Sequence, residues 1–141
     1  MSQSKRFRVL FVCIGNSCRS PMAEAIARSL HNDVIEAESA GIAPAPIVQP
    51  QTYESLKEIN VFLEPGRTPR KLVDVDWNAM DIIINMSGSG ILPLIPGYKG
   101  NNLIWDVADP IGKPMSEYRS ARERIVKLVA RLAELLRRHS A

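Results

Sequence analysis

Cys13 and Arg19 frame the run Val12-Cys13-Ile14-Gly15-Asn16-Ser17-Cys18-Arg19-Ser20-Pro21, and together they carry a recognisable chemistry. A thiolate is the nucleophilic form of cysteine, and a guanidinium is a permanently charged planar fork that grips two oxygens of an oxyanion. Between them lies a loop-forming stretch with Gly15 and Asn16, both tolerant of left-handed backbone. Amides of such a loop, followed at once by a helix N-terminus, make an anion-binding nest. The same positive potential that holds a dianion favours an ionised sulfur, and the Ser20 hydroxyl can add a hydrogen bond to it. Taken singly, Cys13 is a small buried residue at a strand end and Arg19 an exposed helical one. Grouped between a strand and a helix, they point to a thiolate aimed at phosphorus, with Ile14, Gly15, Asn16, Ser17, Cys18 and Ser20 holding the phosphate.

Such a reaction needs a carboxyl group to protonate the leaving oxygen and later to activate water. Asp109 and Asp106, in Asp106-Val107-Ala108-Asp109-Pro110, are both available. Each has a plain alternative as a turn residue or helix cap.

The elements that must position these groups follow from periodicity. Residues 7–12 are β-branched and aromatic and nearly continuous in apolarity, which predicts a strand buried on both faces. Ser20 followed by Pro21 reads as a helix cap with proline in the first helical position, and Met22, Ala25, Ile26, Ser29 and Leu30 line one face of the helix. A weaker strand is predicted over 34–39, then a loop punctuated by Pro44, Pro46 and Pro50, and a helix over about 51–59. A short helix over 73–79, strands over 80–86 and 102–105, and a long amphipathic helix marked by Met115, Tyr118, Ile125, Val129 and Leu136 complete the chain. Alternating strands and helices predict an α/β fold. The expectation is a single doubly wound domain over 1–141, with a four-stranded parallel sheet flanked by helices on both faces. In such a sheet ligands sit at the carboxyl edge, where both the Cys13 loop and Asp109 emerge.

Composition narrows the class. The chain has 141 residues, 45% hydrophobic and 23% charged, with a formal net charge of +3, as expected for one ordinary globular domain. The thin basic excess suits anionic ligands better than nucleic acid. Cys13 and Cys18 are the only cysteines, too few for a disulfide framework, and the isolated His31 and His139 do not complete a zinc site. No apolar run has the length of a membrane span, and residues 9–14 are too short for a signal-peptide core. A reducing cytoplasm is therefore expected. Trp77 and Trp105 read as packing residues, and Arg131, Arg137 and Arg138 as a solvated helix face. Ser87-Gly88-Ser89-Gly90 lacks the lysine of a nucleotide-binding loop.

The run from Val12 to Glu24 resembles the phosphate-binding loop of the low-molecular-weight protein tyrosine phosphatases, a superfamily shared with thioredoxin-coupled arsenate reductases. Ser39-Ala40-Gly41 is similar to the family's second-strand ending, Asp81-Ile82-Ile83 to its third strand, and Asp109-Pro110 to its general-acid loop. The resemblance implies a phosphomonoester hydrolase of tyrosine-phosphatase type working through a cysteinyl-phosphate. It makes Cys13 the nucleophile, Arg19 the phosphate clamp and Asp109, rather than Asp106, the acid and base. No cofactor or metal is expected. The expected partner is a phosphorylated protein or small phosphomonoester, with neither nucleic acid nor membrane, and the chain is expected to be a monomer.

The sequence departs from the family at the pocket walls. Ile111-Gly112 and Ala43-Pro44-Ala45-Pro46-Ile47 stand where eukaryotic-type members have aromatic residues, so a phenyl ring would lose stacking. The alternative activity, arsenate reduction with an external thiol, lacks the further cysteine pair those reductases use, because no cysteine follows Cys18. Cys18 itself either forms a protective disulfide with Cys13 or packs beneath the loop. Arg67 either adds positive charge or lies on the surface.

Overall fold

A computed structural model describes residues 5–140; residues 1–4 and 141 of the expected domain lie outside the described part. In chain order it contains β1 (Phe7–Cys13), α1 (Arg19–Leu30), β2 (Ile35–Gly41), α2 (Pro50–Lys57), β3 (Ile82–Asn85), β4 (Asn101–Ile104) and α3 (Met115–Ser140). Short 3-10 turns occupy Leu72–Asp74, Trp77–Ala79 and Leu92–Leu94. All strand pairs are parallel, in the order β2-β1-β3-β4.

Strand β1 is central, and its apolarity is continuous because neighbouring side chains enter two different cores. Val9 and Phe11 face one layer, where α1, α2 and α3 contribute Met22, Ile26, Leu56, Tyr118 and Ile125. Leu10 and Val12 face the opposite layer, with Leu72, Met80, Ile91 and Ile95. β3 repeats the alternation, with Ile82 and Ile84 on the first side and Ile83 on the second. The sheet is thus flanked on both faces, by the three α-helices on one side and the 3-10 turns with their connecting loops on the other. Edge strand β4 is largely solvated, and Ile104 is 75% exposed. Trp105 packs against Phe11 with ring centroids 5.8 Å apart, and Trp77 meets Tyr98 at 6.3 Å, so both tryptophans are packing residues.

Three local expectations are corrected. α1 begins at Arg19, ahead of Ser20, and no side chain caps it. Pro21 is tolerated as the third helical residue because first-turn positions need no N–H partner within the helix. Ser29 and Leu30 are exposed, while every residue from Arg19 to Ala27 is buried, since α1 is enclosed by the sheet and the other helices rather than lying on the surface. The helix expected over 73–79 is two 3-10 turns separated by Val75 and Asp76.

α3 is fastened to α2 by Arg119 and Arg122, which hold the Glu58 carboxylate at 2.7 and 2.6 Å and pull its pKa down to about 2. Farther along, Arg137 pairs with Asp33 at 2.8 Å and Arg138 with Glu134 on its own helix. No helix among the described residues is long and apolar enough to cross a membrane.

Parallel pairing brings the carboxyl ends of β1, β3 and β4 to one edge, and the chain turns in opposite directions along the sheet from β1, to β2 on one side and β3 on the other. Crevices at such switch points are where α/β sheets bind ligands. The frame depends on β1: Leu10→Ala, at a fully buried position, should cost about 2–5 kcal/mol, read as a lower urea midpoint with the native far-ultraviolet spectrum retained.

Candidate active site

Residues 14–18 connect β1 to α1 as an irregular loop, and its shape is set by what holds its carbonyls. The backbone N–H of Ile42 donates to Cys13 O at 3.1 Å, that of Ala43 to Ile14 O at 2.8 Å, and that of Ala45 to Gly15 O at 2.9 Å. Gln49 N–H and the Thr52 hydroxyl both donate to Ser17 O, each at 2.9 Å. Four carbonyls are thereby turned outward into the segment after β2. Among the described residues the N–H groups of Asn16, Ser17 and Cys18 donate to no protein group. They are joined by those of Arg19 and Ser20, first-turn helical amides that have no partner within the helix. This is an anion nest completed by a helix N-terminus.

Only one loop residue uses the left-handed region. Asn16 has φ 51°, whereas Gly15 is not left-handed and is small because Ser17 Oγ and Ala45 crowd it. Gly41, expected only as a strand ending, proves decisive for the loop. A Cβ there would stand 2.7 Å from both Asn16 N and Ile14 O, which is backbone and cannot swing aside.

Cys13 is 3% exposed, and its Sγ lies 2.9 Å from Ser20 Oγ, so the residue expected as a helix cap serves the sulfur instead. Arg19 is 5% exposed. Its Nη1 donates to Met86 O at 2.6 Å and Val107 O at 3.0 Å, carbonyls that follow β3 and β4, and its Nη2 lies 3.6 Å from Asp109 Oδ2. Because Nη1 is anchored by neutral carbonyls, the guanidinium keeps its positive charge for an anion. Asp109 is half-exposed, and its Oδ1 accepts the Ile111 N–H at 3.1 Å. A cleft of about 260 Å³ is lined by Cys13, the loop, Arg19, Asp109, Ala43, Ala45, Gln49 and Ile111. Asp106 does not line it; its backbone carbonyl receives Arg124 from α3 instead.

The two thiols differ. Both are free, but burial pushes the Cys18 thiol up to about 12, more than its hydrogen bond with Thr52 pulls it down. Cys18 therefore stays protonated in the native protein and packs beneath the loop among apolar neighbours. Ser17 Oγ is buried on the cleft wall with no protein partner, which leaves a hydroxyl able to bond a ligand oxygen.

The predicted residues from Cys13 to Ser20 and Asp109 thus meet at one sheet edge. Missed from the sequence were Gln49, Thr52 and the role of residues 42–49, which looked like a connector. A signal was present: in Ala43-Pro44-Ala45-Pro46 the alanine N–H groups bond the loop, and the intervening prolines have no N–H needing a partner.

Comparison with known proteins agrees with this arrangement. The model of the low molecular weight phosphotyrosine protein phosphatases matches residues 8–141. The chain belongs to that family and is a phosphatase. It is similar to a protein-arginine-phosphatase of Geobacillus stearothermophilus, 33% identical over 92% of this chain and 96% of that one. It is also similar to an arsenate reductase of Bacillus cereus, 30% identical over 90% of this chain and 94% of the relative. Among solved structures, an arginine phosphatase from Geobacillus stearothermophilus superposes with a TM-score of 0.84 at 30% identity, covering 94% of each chain.

Because the loop lies against Gly41, Gly41→Ala should weaken vanadate binding by about a hundredfold, a displacement of ångström scale being enough for such losses. Titration of the folded variant with vanadate, beside its thermal midpoint, checks this.

Proposed function

We propose that Cys13 is the nucleophile of a metal-independent phosphomonoesterase, that Arg19 and the amides of residues 14–18 with Ser20 bind the phosphoryl oxygens, and that Asp109 is the general acid and base. The observation that carries this reading is the cleft itself, with the Cys13 sulfur, the anchored Arg19 guanidinium and the Asp109 carboxyl on its walls. In the first step the sulfur attacks phosphorus, the bond to the leaving oxygen breaks, and Asp109 gives that oxygen its proton. In the second, Asp109 takes a proton from water, the water oxygen attacks phosphorus, and the phosphorus–sulfur bond breaks to release inorganic phosphate. Oxyanion stabilisation comes from donors already in place before the reaction. Two free thiols suit a reducing compartment such as the cytoplasm, and we take the working form to be a monomer acting on a phosphorylated protein or small phosphomonoester.

Phosphotyrosine is the first substrate class. A specific observation favours a second, phosphoarginine: the cleft walls are Ala43, Ala45 and Ile111, with Ile14 42% exposed at the loop. Aliphatic walls give no ring to stack on a phenyl group but suit a slim alkyl stem. The similarity to an arginine phosphatase points the same way. Arsenate reduction has less support, because residues 19–141 contain no cysteine to pass electrons onward.

Hydrolysis of an aryl phosphate should persist in excess chelator, and Cys13→Ser should abolish it. Asp109→Asn should reduce kcat about a hundredfold or more while vanadate affinity changes little. Activity retained by Cys13→Ser would end the proposal. Comparing phosphotyrosine and phosphoarginine peptides ranks the two substrates, and arsenate-dependent consumption of a thiol without ester hydrolysis would favour the reductase.

A further inference from the structure

The basic residues of α3 are not all neutralised in the same way. Among the described residues every arginine pairs with a carboxylate except Arg6, Arg124 and Arg131. Arg137 and Arg138, which the sequence groups with Arg131 on one solvated face, are held by Asp33 and Glu134. Arg124 donates to a neutral group, Asp106 O, so its charge stays uncompensated. Lys127 is exposed between Arg124 and Arg131 and makes no ion pair among the described residues.

Spacing puts these cations in one line. Ser120, Arg124, Lys127 and Arg131 follow one another at helical steps, so they share a face of α3 opposite the core residues Ile125, Val129 and Leu132. They line a groove of about 440 Å³. At 1.5 Å per residue the line is about 16 Å long, room for about five residues of extended chain. Arg119 and Glu123, also on this groove, already pair with Glu58 and Arg122, which leaves the groove positive.

The groove leads toward the Cys13 cleft. It shares Ser120 and Arg124 with a pocket of about 120 Å³, and that pocket shares Asp109 with the cleft. In the pocket Lys113 and Arg124 are balanced by Asp109 and Glu117. A chain leaving the cleft past Asp109 and Pro110 would therefore cross a neutral step before it meets the positive face.

We propose that the face formed by Arg124, Lys127 and Arg131 docks an acidic segment of the phosphorylated protein whose phosphate lies in the Cys13 cleft, with a short neutral spacer between the two. The proposal rests on the reading of that cleft as a phosphatase site, and it narrows the substrate to proteins with a nearby run of Asp or Glu. Continuity with the cleft favours this partner. Three cations are fewer than the roughly six to ten phosphate contacts that hold a protein on duplex DNA, or the roughly four to eight basic residues of a lipid-binding cluster.

The test uses phosphotyrosine peptides with a glutamate block on the N-terminal side, on the C-terminal side, or replaced by glutamine, and compares the wild type with Lys127→Glu/Arg131→Glu. At low ionic strength at least one glutamate peptide should exceed the glutamine peptide in kcat/KM by about tenfold, as expected for two or three exposed ion pairs acting together. The gain should fall on KM with kcat unchanged, because the contacts lie away from the reacting atoms. It should vanish in about 0.5 M salt and in the double variant. Turnover of a small aryl phosphate and inhibition by vanadate should be the same in both proteins. Salt titration of the wild type decides the question without any substitution. Equal hydrolysis of glutamate and glutamine peptides would overturn the proposal, as would a glutamate preference that survives the double substitution. Binding of duplex DNA or phosphatidylserine vesicles that the double variant loses, without any glutamate preference, would overturn it in favour of that partner. A wild-type protein that hydrolyses no ester counts against the phosphatase reading alone, since fluorescence anisotropy of the labelled peptides then reads the same glutamate preference as binding.

Discussion

Amide groups can be held toward one point in space only if the carbonyls that alternate with them are satisfied in other directions. In this protein that constraint is met by the segment immediately after β2, whose N–H groups at Ile42, Ala43, Ala45 and Gln49 take up the carbonyls of Cys13, Ile14, Gly15 and Ser17. The phosphate-binding loop is therefore as much a product of residues 42–49 as of its own sequence. The close approach this requires leaves no room for a side chain at Gly41. It also explains why α1 starts without a side-chain cap: a capping oxygen would occupy the amides that the loop sets free.

The charges are arranged on the same logic. Arg19 is fixed from one side by the carbonyls of Met86 and Val107, so its position is determined while its charge is left uncompensated by any buried carboxylate. Asp109, at 3.6 Å and half-exposed, lines the cleft and is open to solvent. The opposite arrangement holds behind the loop, where Glu24 is enclosed by guanidinium groups and bonded to Ser39. A buried carboxylate is tolerated only with such compensation. The two cysteines divide in a similar way: Cys13 has a hydroxyl partner at the mouth of the nest, whereas burial keeps Cys18 a thiol.

Membership of the phosphatase family accounts for the shared frame but leaves the leaving group open, because the relatives carry different activities on that frame. The cleft walls formed by Ala43, Ala45 and Ile111 present aliphatic rather than aromatic surface. These positions lie on two separate segments of chain, one after β2 and one after β4, brought together only at the sheet edge.

The order of elements, the parallel sheet and the grouping of Cys13, Arg19 and Ser20 were legible in the sequence because each is a local property. A β-branched apolar run makes a central strand, a glycine–asparagine loop makes a nest, and adjacency along the chain keeps the Cys13 sulfur and the Arg19 guanidinium together. Asp109 was legible with the help of the family's Asp-Pro motif, since from spacing alone Asp106 served equally well. The start of α1 was misread because Ser-Pro is ordinarily a cap, and only the anion site explains why the helix begins earlier. The tertiary structure alone decided that Gly41 abuts the loop, that residues 42–49 hold its carbonyls, and that Arg67 is buried against Glu24. Each of these joins residues far apart in the chain, and neither the direction of a hydrogen bond nor the closeness of two backbones leaves a periodic trace in sequence.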